Sequence, residues 1–184
     1  CSARRPVLAL LLLGTLVGIL AATAWANEHL IKPAVGAPRP NIRELGRLGV
    51  IPSVDEFYRI EGKEQRTEEL RRLFATEPAA GLLPNLHPLI REHWLVQTGH
   101  SFPSGHTLAS VTLATVFTLL GLRLGGRPVW LAWLFLPWAI LVGWSRHLLR
   151  VHSTIDITCG GLIGVALGVL ASWFILGWLK RQPT

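Results

Sequence analysis

The sequence contains no methionine, a single tyrosine and only two cysteines in 184 residues. Without a methionine the initiator is missing, so the N-terminus is expected to be truncated or processed, with any element ahead of Cys1 out of view. Cys1 is terminal and Cys159 falls inside an apolar run, which gives neither a disulfide framework nor a metal-binding cysteine spacing. Charge is also scarce: 16% of residues are charged and 50% are hydrophobic, a balance that points away from a soluble domain and towards a membrane protein. The formal charge of +7 suits nucleic acid or anionic lipid. No basic groove with interleaved stacking aromatics accompanies it, which argues against nucleic acid as a partner.

What the chain does have is long apolar runs. Val7 to Trp25, preceded by Arg4 and Arg5, is nearly uninterrupted, and a bilayer crossing needs about 20 apolar residues. Ala24-Trp25-Ala26 resembles a signal-peptidase site, but the run exceeds the usual signal core of about 7–15 residues, so a retained helix is expected over 6–26. From Asn27 to Ser101 the composition turns polar, and the prolines and glycines between Lys32 and Pro40 argue against a continuous helix there. Glu61 to Phe74 reads as a short surface helix with Leu70, Leu73 and Phe74 on one side. Pro78, Pro84 and Pro88 then break the chain before Leu89 to Trp94. The segment 27–105 is too long for a turn and is expected to form a small helical cap over one membrane face.

Further spans are expected over 106–124, 128–149, with Pro137 as a kink, and 154–179; no internal repeat is evident. Four spans would put Arg4, Arg5, Arg123, Arg127, Lys180 and Arg181 on one face, which the positive-inside rule makes cytoplasmic. Trp25, Trp130, Trp144 and Trp178 fall near span ends, as an aromatic belt would. The expected fold is therefore an all-α integral-membrane helix bundle, a single domain over 1–184, with an extracytoplasmic helical insert.

This topology gathers three polar stretches on the outer face: Lys32, Arg39 and Pro40; then Ser104, Gly105 and His106; then Ser145, Arg146, His152 and Asp156. Three cations and a helix N-terminus at one membrane boundary imply a concentrated anion such as phosphate. His152 and Asp156 are four residues apart, so on helical backbone they share a face. A carboxylate on one imidazole nitrogen fixes the tautomer and leaves the other nitrogen as a nucleophile towards phosphorus. His106, from another span, can protonate the departing oxygen. Read blandly, Arg146 and Arg150 are interfacial residues and a lone histidine is a satisfied polar group. Asp156, just inside an apolar run, is harder to set aside, because an ionisable group there is costly. His93, His100, His106 and His152 show no ligand spacing suited to zinc.

Taken together, Lys32-x6-Arg39-Pro40, Pro103-Ser104-Gly105-His106 and Ser145-Arg146-x5-His152-x3-Asp156 resemble the complete three-part signature of the type-2 phosphatidic acid phosphatases, with no position departing from the pattern. The insert, notably Val54-Asp55-Glu56-Phe57-Tyr58 and Arg91-Glu92-His93-Trp94, is similar to that of the phosphatidylglycerophosphatase B branch. The likeness runs from about Ala26 to Leu179. Because that branch has six spans, it implies that two N-terminal helices are absent here.

The resemblance implies a metal-independent, cofactor-free phosphatase of the bacterial inner membrane, with its site on the periplasmic face. His152 would form a phosphohistidine, Asp156 would orient it, and His106 would protonate the leaving group and then activate water. Lys32, Arg39, Ser104, Gly105 and Arg146 would hold the phosphate oxygens. The expected substrate is a lipid phosphate: phosphatidylglycerophosphate, undecaprenyl pyrophosphate or phosphatidic acid. Phosphotransfer to an acceptor other than water is the nearest alternative. A non-catalytic lipid-phosphate binder would have no use for the His152–Asp156 pair, and the vanadium haloperoxidases that share the signature are soluble.

Overall fold

The computed structural model describes residues 4–76, 81, 86–124 and 129–181. Pro78, Pro84 and Arg127, named above as breaks or flanking charges, lie outside the described residues, as do the side chains of Arg4, Arg5 and Trp130. Among the described residues every regular element is helical.

Helix α1 (Arg4–Ala26) continues without interruption through a π-turn, Asn27–Ile31, into α2 (Lys32–Val35). Helix therefore runs on past Ala26 to Val35, and the expected interruption between Lys32 and Pro40 falls at residues 36–39. The reason is local. Pro33 lacks an N–H and its ring crowds the carbonyl one turn back. The wider turn just ahead absorbs that crowding, with the Lys32 N–H reaching Asn27 O. Gly36, at φ 63°, then ends the helix with its N–H on Lys32 O at 2.9 Å. Lys32 is left facing inward, 6% exposed.

Three further long helices complete the bundle: α7 (Gly105–Leu124), α8 (Val129–Leu148) and α9 (Thr154–Lys180). The stretches Leu10–Val35, Gly105–Arg123 and Thr154–Lys180 are each long and apolar enough to cross a bilayer. Helices α7 and α9 lie against each other along a row of small residues. A Cβ added to Gly160 would stand 2.7 Å from Ser104 O, and one on Gly164 would stand 2.7 Å from Leu108 O. Only glycine permits that approach. Helix α8 packs on α7 with Phe135 stacked on Phe117 at 4.4 Å, and α1 touches the pair through Leu16, which is buried with Val116, Ala171 and Ile175. Away from these seams the helices present Leu10, Ile140, Leu162 and Trp173 outward, all exposed. A surface this apolar is suited to lipid rather than water. The protein is an all-α integral-membrane helical bundle.

Between α2 and α7 the chain builds a cap from α3 (Pro40–Arg47), α4 (Val54–Arg59), α5 (Lys63–Phe74) and α6 (Pro88–Val96). Pro40 and Pro88 open their helices at the first turn, where a missing N–H costs nothing. Ser53 caps α4 by accepting from Glu56 N at 3.3 Å. Helix α5 does more than line a surface: its Leu70 and Leu73 are buried with Ile42, Leu45, Ile51, Phe57 and Trp94 in a separate core. Val151, from the third polar stretch, is buried in that same core, so the cap grips the loop that carries His152.

Candidate active site

The α8–α9 connection is shaped by its own hydrogen bonds. The N–H groups of Val151 and His152 both reach back to Arg146 O, at 3.2 and 3.3 Å, across a tight turn in which Arg150 takes φ 54°. Trp94 of the cap donates Nε1–H to Leu149 O at 2.8 Å. Ser153 then starts α9 with a reciprocal cap: its hydroxyl accepts from Asp156 N at 3.3 Å, and its own N–H donates to Asp156 Oδ2 at 2.7 Å. Asp156 thus has a structural role alongside its proximity to His152, whose Nδ1 is 3.7 Å from Asp156 Oδ2. That separation is too long for a hydrogen bond and short enough for a strong charge–dipole contact.

Arg39 reaches the same place from the far side. Buried in the connection between α2 and α3, it donates from Nε to Gly99 O at 2.9 Å and from Nη1 to Val151 O at 3.1 Å. The same Nη1 stands 3.2 Å from His152 Nε2. A guanidinium can only donate, so Nε2 must be the acceptor, and the neutral ring carries its proton on Nδ1, facing Asp156. Burial, with the Arg39 charge adding to it and Asp156 opposing, pushes the His152 pKa down to about 4. His152 is therefore neutral near pH 7, with a lone pair on Nε2. Tyr58 fixes Arg39 from behind, accepting from Arg39 N at 3.0 Å and donating to Gly99 O at 3.2 Å.

The second stretch joins the third through backbone. Ser104 N donates to Asp156 O at 3.0 Å, tying the start of α7 to the start of α9. The Ser104 side chain is fully buried and hydrogen-bonds Thr107 Oγ1 at 2.9 Å, so its hydroxyl serves its own helix. Gly105 and His106 follow at the helix N-terminus, where free N–H groups favour an anion. Lys32, Arg39, Gly105, His106 and His152 all line one cavity of about 350 Å³, and Asp156 lies buried behind His152. Arg146 stands close by, with its Nε buried and unpartnered.

Sequence reasoning missed several neighbours of this site. Glu28 accepts from Lys32 Nζ at 2.6 Å and also pairs with Lys63 of α5. Its spacing of four residues before Lys32 is the usual signal for a helical ion pair and was available to be read. Lys63, Gln97 and Tyr58 carry no such local signal, because the cap brings them in from a distance. His93 is also close, and burial together with the Arg146 and Arg39 charges lowers its pKa.

The chain is 34% identical over 161 residues to phosphatidylglycerophosphatase B of Escherichia coli K12, an alignment covering 86% of this chain and 59% of that relative. It is 34% identical over 85 residues to a lipid A 1-phosphatase of Porphyromonas gingivalis, covering 46% of this chain and 18% of the relative. It is likewise 34% identical over 91 residues to the bacitracin transport permease protein BcrC of Bacillus licheniformis, covering 50% and 39%. The chain thus spans about 59% of the length of the phosphatidylglycerophosphatase B it matches. The model of the PAP2 superfamily matches residues 7–180, and the chain belongs to that family.

Proposed function

We propose that the protein is an integral-membrane lipid phosphatase that works through a phosphohistidine and needs no metal ion. The observation that carries this reading is the meeting of Lys32, Arg39, His106 and His152 around one cavity, with Asp156 behind the nucleophile. A terminal phosphate entering there takes over the Arg39 N–H now directed at His152 Nε2. Lys32, the Gly105 N–H and Arg146 supply further donors for its equatorial oxygens, which gather charge in the transition state. The Nε2 lone pair attacks phosphorus as the bond to the leaving oxygen breaks, and His106 delivers a proton to that oxygen. The Asp156 carboxylate stabilises the imidazolium so formed. In the second half His106 accepts a proton from water, which attacks the phosphohistidine and frees inorganic phosphate and His152.

The helix ends that build the site sit at one end of the bundle beneath the cap. By the positive-inside rule, Arg123, Lys180 and Arg181 at the other end support a site on the periplasmic side of the bacterial inner membrane. A head group there can be reached by a lipid still anchored in the bilayer. Phosphatidylglycerophosphate, undecaprenyl pyrophosphate and phosphatidic acid are the substrates we favour.

Phosphate release from a panel of these lipids in detergent, with EDTA present, tests the reading. Wild-type protein is expected to release phosphate undiminished by the chelator, and His152→Ala to lose on the order of 10⁴-fold or more. Activity abolished by EDTA would sink the metal-free mechanism, and an active His152→Ala protein would remove His152 as nucleophile.

A further inference from the structure

Lys63 lies outside all three signature stretches, on α5 of the cap, yet its ammonium reaches the bundle. It pairs with Glu28 Oε1 while Lys32 holds Glu28 Oε2 at 2.6 Å, so one carboxylate carries two ammonium groups. The Lys63 stem crosses directly over Gly99, where an added Cβ would stand 2.6 Å from Lys63 Cε. Gly99 O is the acceptor for Arg39 Nε at 2.9 Å, and Arg39 touches His152 Nε2 at 3.2 Å. The cap cation is thus laid against the residue that binds the phosphate-holding arginine. Lys63 also lines the same cavity of about 350 Å³ as Lys32, Arg39, His106 and His152.

We propose that Lys63 is a specificity-determining residue that binds a second, inner phosphate of the substrate head group, so that the site favours lipids bearing two phosphates over lipids bearing one. The inference rests on the lipid-phosphatase reading above. With the terminal phosphate at His152 the leaving group faces His106, and Lys63 lines the same cavity as both histidines. Glu28 already has a partner in Lys32, one helical turn away. A second, half-exposed lysine on the same carboxylate adds little stability, since exposed ion pairs contribute weakly. It does add a cation where a head group arrives. When substrate binds, the inner phosphate replaces Glu28 as the partner of Lys63, while Lys32 stays between Glu28 and the terminal phosphate. Two chemistries share this inner phosphate: a diphosphate, where it is joined directly to the terminal one, and a phosphodiester set one glycerol away from a terminal monoester.

The test uses the full chain in detergent with matched substrates: a prenyl diphosphate against the monophosphate of the same chain length, and phosphatidylglycerophosphate against phosphatidic acid. Lys63→Ala is expected to lower the ratio of kcat/KM for the doubly over the singly phosphorylated lipid about tenfold, chiefly through KM. Lys63→Arg should keep most of the ratio, and Glu28→Gln should keep or raise it. A change in the diphosphate pair alone assigns Lys63 to directly joined phosphates, and a change in both pairs assigns it to either kind. Equal losses on both members of each pair, or Glu28→Gln behaving like Lys63→Ala, would reduce Lys63 to a structural partner and overturn the proposal. Calorimetric binding of inorganic pyrophosphate and orthophosphate gives a second reading that needs no turnover. Wild type is expected to bind pyrophosphate more tightly, with that advantage lost in Lys63→Ala; an advantage that survives overturns the proposal. A wild-type protein inert towards every lipid phosphate would defeat the phosphatase reading, while the pyrophosphate comparison would still decide Lys63.

Discussion

Where α7 meets α9, backbone lies on backbone: Gly160 faces Ser104 O, Gly164 faces Leu108 O, and Ser104 N donates to Asp156 O at 3.0 Å. Where α1 and α2 meet the cap, long side chains cross a gap instead: Lys32 and Lys63 share Glu28, and Arg39 spans from its loop to Gly99 and Val151. The first junction carries His106 and Asp156, with His152 just ahead of α9; the second carries Lys32, Lys63 and Arg39, the cations proposed to receive phosphate. A nucleophile and an acid must hold a fixed separation, and closely packed glycine helices supply it. Cations that receive head groups of differing shape profit from flexible stems. Rigid chemistry and adaptable binding are thus built from different contacts in one site.

The largest expected effect strikes the rigid junction. Gly160→Leu or Gly164→Leu drives a side chain into backbone that has nowhere to move, at a cost of about 3 kcal/mol or more. Phosphate release should vanish along with the cooperative thermal transition in detergent. Gly14 and Gly18 of α1 meet nothing within 4 Å of an added Cβ, so Gly14→Leu and Gly18→Leu should leave both readouts near wild type. Equal damage at the two sets of glycines would break the comparison by showing α1 to be packed as tightly as α9.

Next comes Asp156→Asn, which separates the two roles of this residue. The amide oxygen can still accept from Ser153 N, so the cap on α9 should survive, while the charge 3.7 Å from His152 Nδ1 disappears. A fall in kcat on the order of 10³-fold to 10⁴-fold with an unchanged circular dichroism spectrum is expected. If the variant unfolds instead, the carboxylate matters to α9 more than to chemistry.

The pH dependence is a milder probe. Burial holds His152 at about 4 against an ordinary 6.5, so its neutral ring, the form proposed as nucleophile, is present across the neutral range. The acid limb of kcat/KM due to His152 should lie near pH 4, with activity falling as pH drops through it. The unfolded chain takes up this proton near 6.5 and the folded chain only near 4, so His152 lowers stability progressively as pH falls through that window. A His152 limb near 6.5, assigned by comparing wild type with His106→Ala, would mean the ring is solvated rather than sealed beneath Arg39.

These contrasts also explain what could be read from the chain in advance. The polar stretches with Lys32, Arg39, His106, His152 and Asp156 were legible because spacing and hydropathy place them at one end of the bundle, and the structure brings the first four to one cavity with Asp156 buried behind His152. The helix through Pro33 was not legible, because proline normally ends a helix and only the π-turn before it lets this one continue. The serine of the second stretch reads as a ligand, yet its hydroxyl bonds Thr107 and it is its N–H that joins the stretches. Gly160, Gly164 and Gly168 recur every fourth residue, but the backbone they face belongs to another helix, which spacing cannot name. Lys63 was hidden for the same reason: its partner is reached across the cap rather than along a helix.

The smallest effect sharpens the comparison from the adaptable side. Tyr58→Phe keeps the ring that stacks on His100 at 4.8 Å and removes only a hydroxyl. That hydroxyl accepts from Arg39 N and donates to Gly99 O, so its loss leaves a buried N–H without this partner and frees the loop beneath Arg39. A stability loss of about 1–2 kcal/mol follows from the two bonds. Because Arg39 keeps its own bonds to Gly99 O and Val151 O, its guanidinium should stay in the site with a broader range of positions. KM for a lipid phosphate should rise a few-fold while kcat changes little, since Asp156 and His106 are positioned from the other junction and the loop of His152 is held by its bonds to Arg146 O and by Val151 in the cap core. A fall in kcat matching the rise in KM would show that Arg39 helps to aim the nucleophile as well as hold the phosphate, and the two junctions would then act as one.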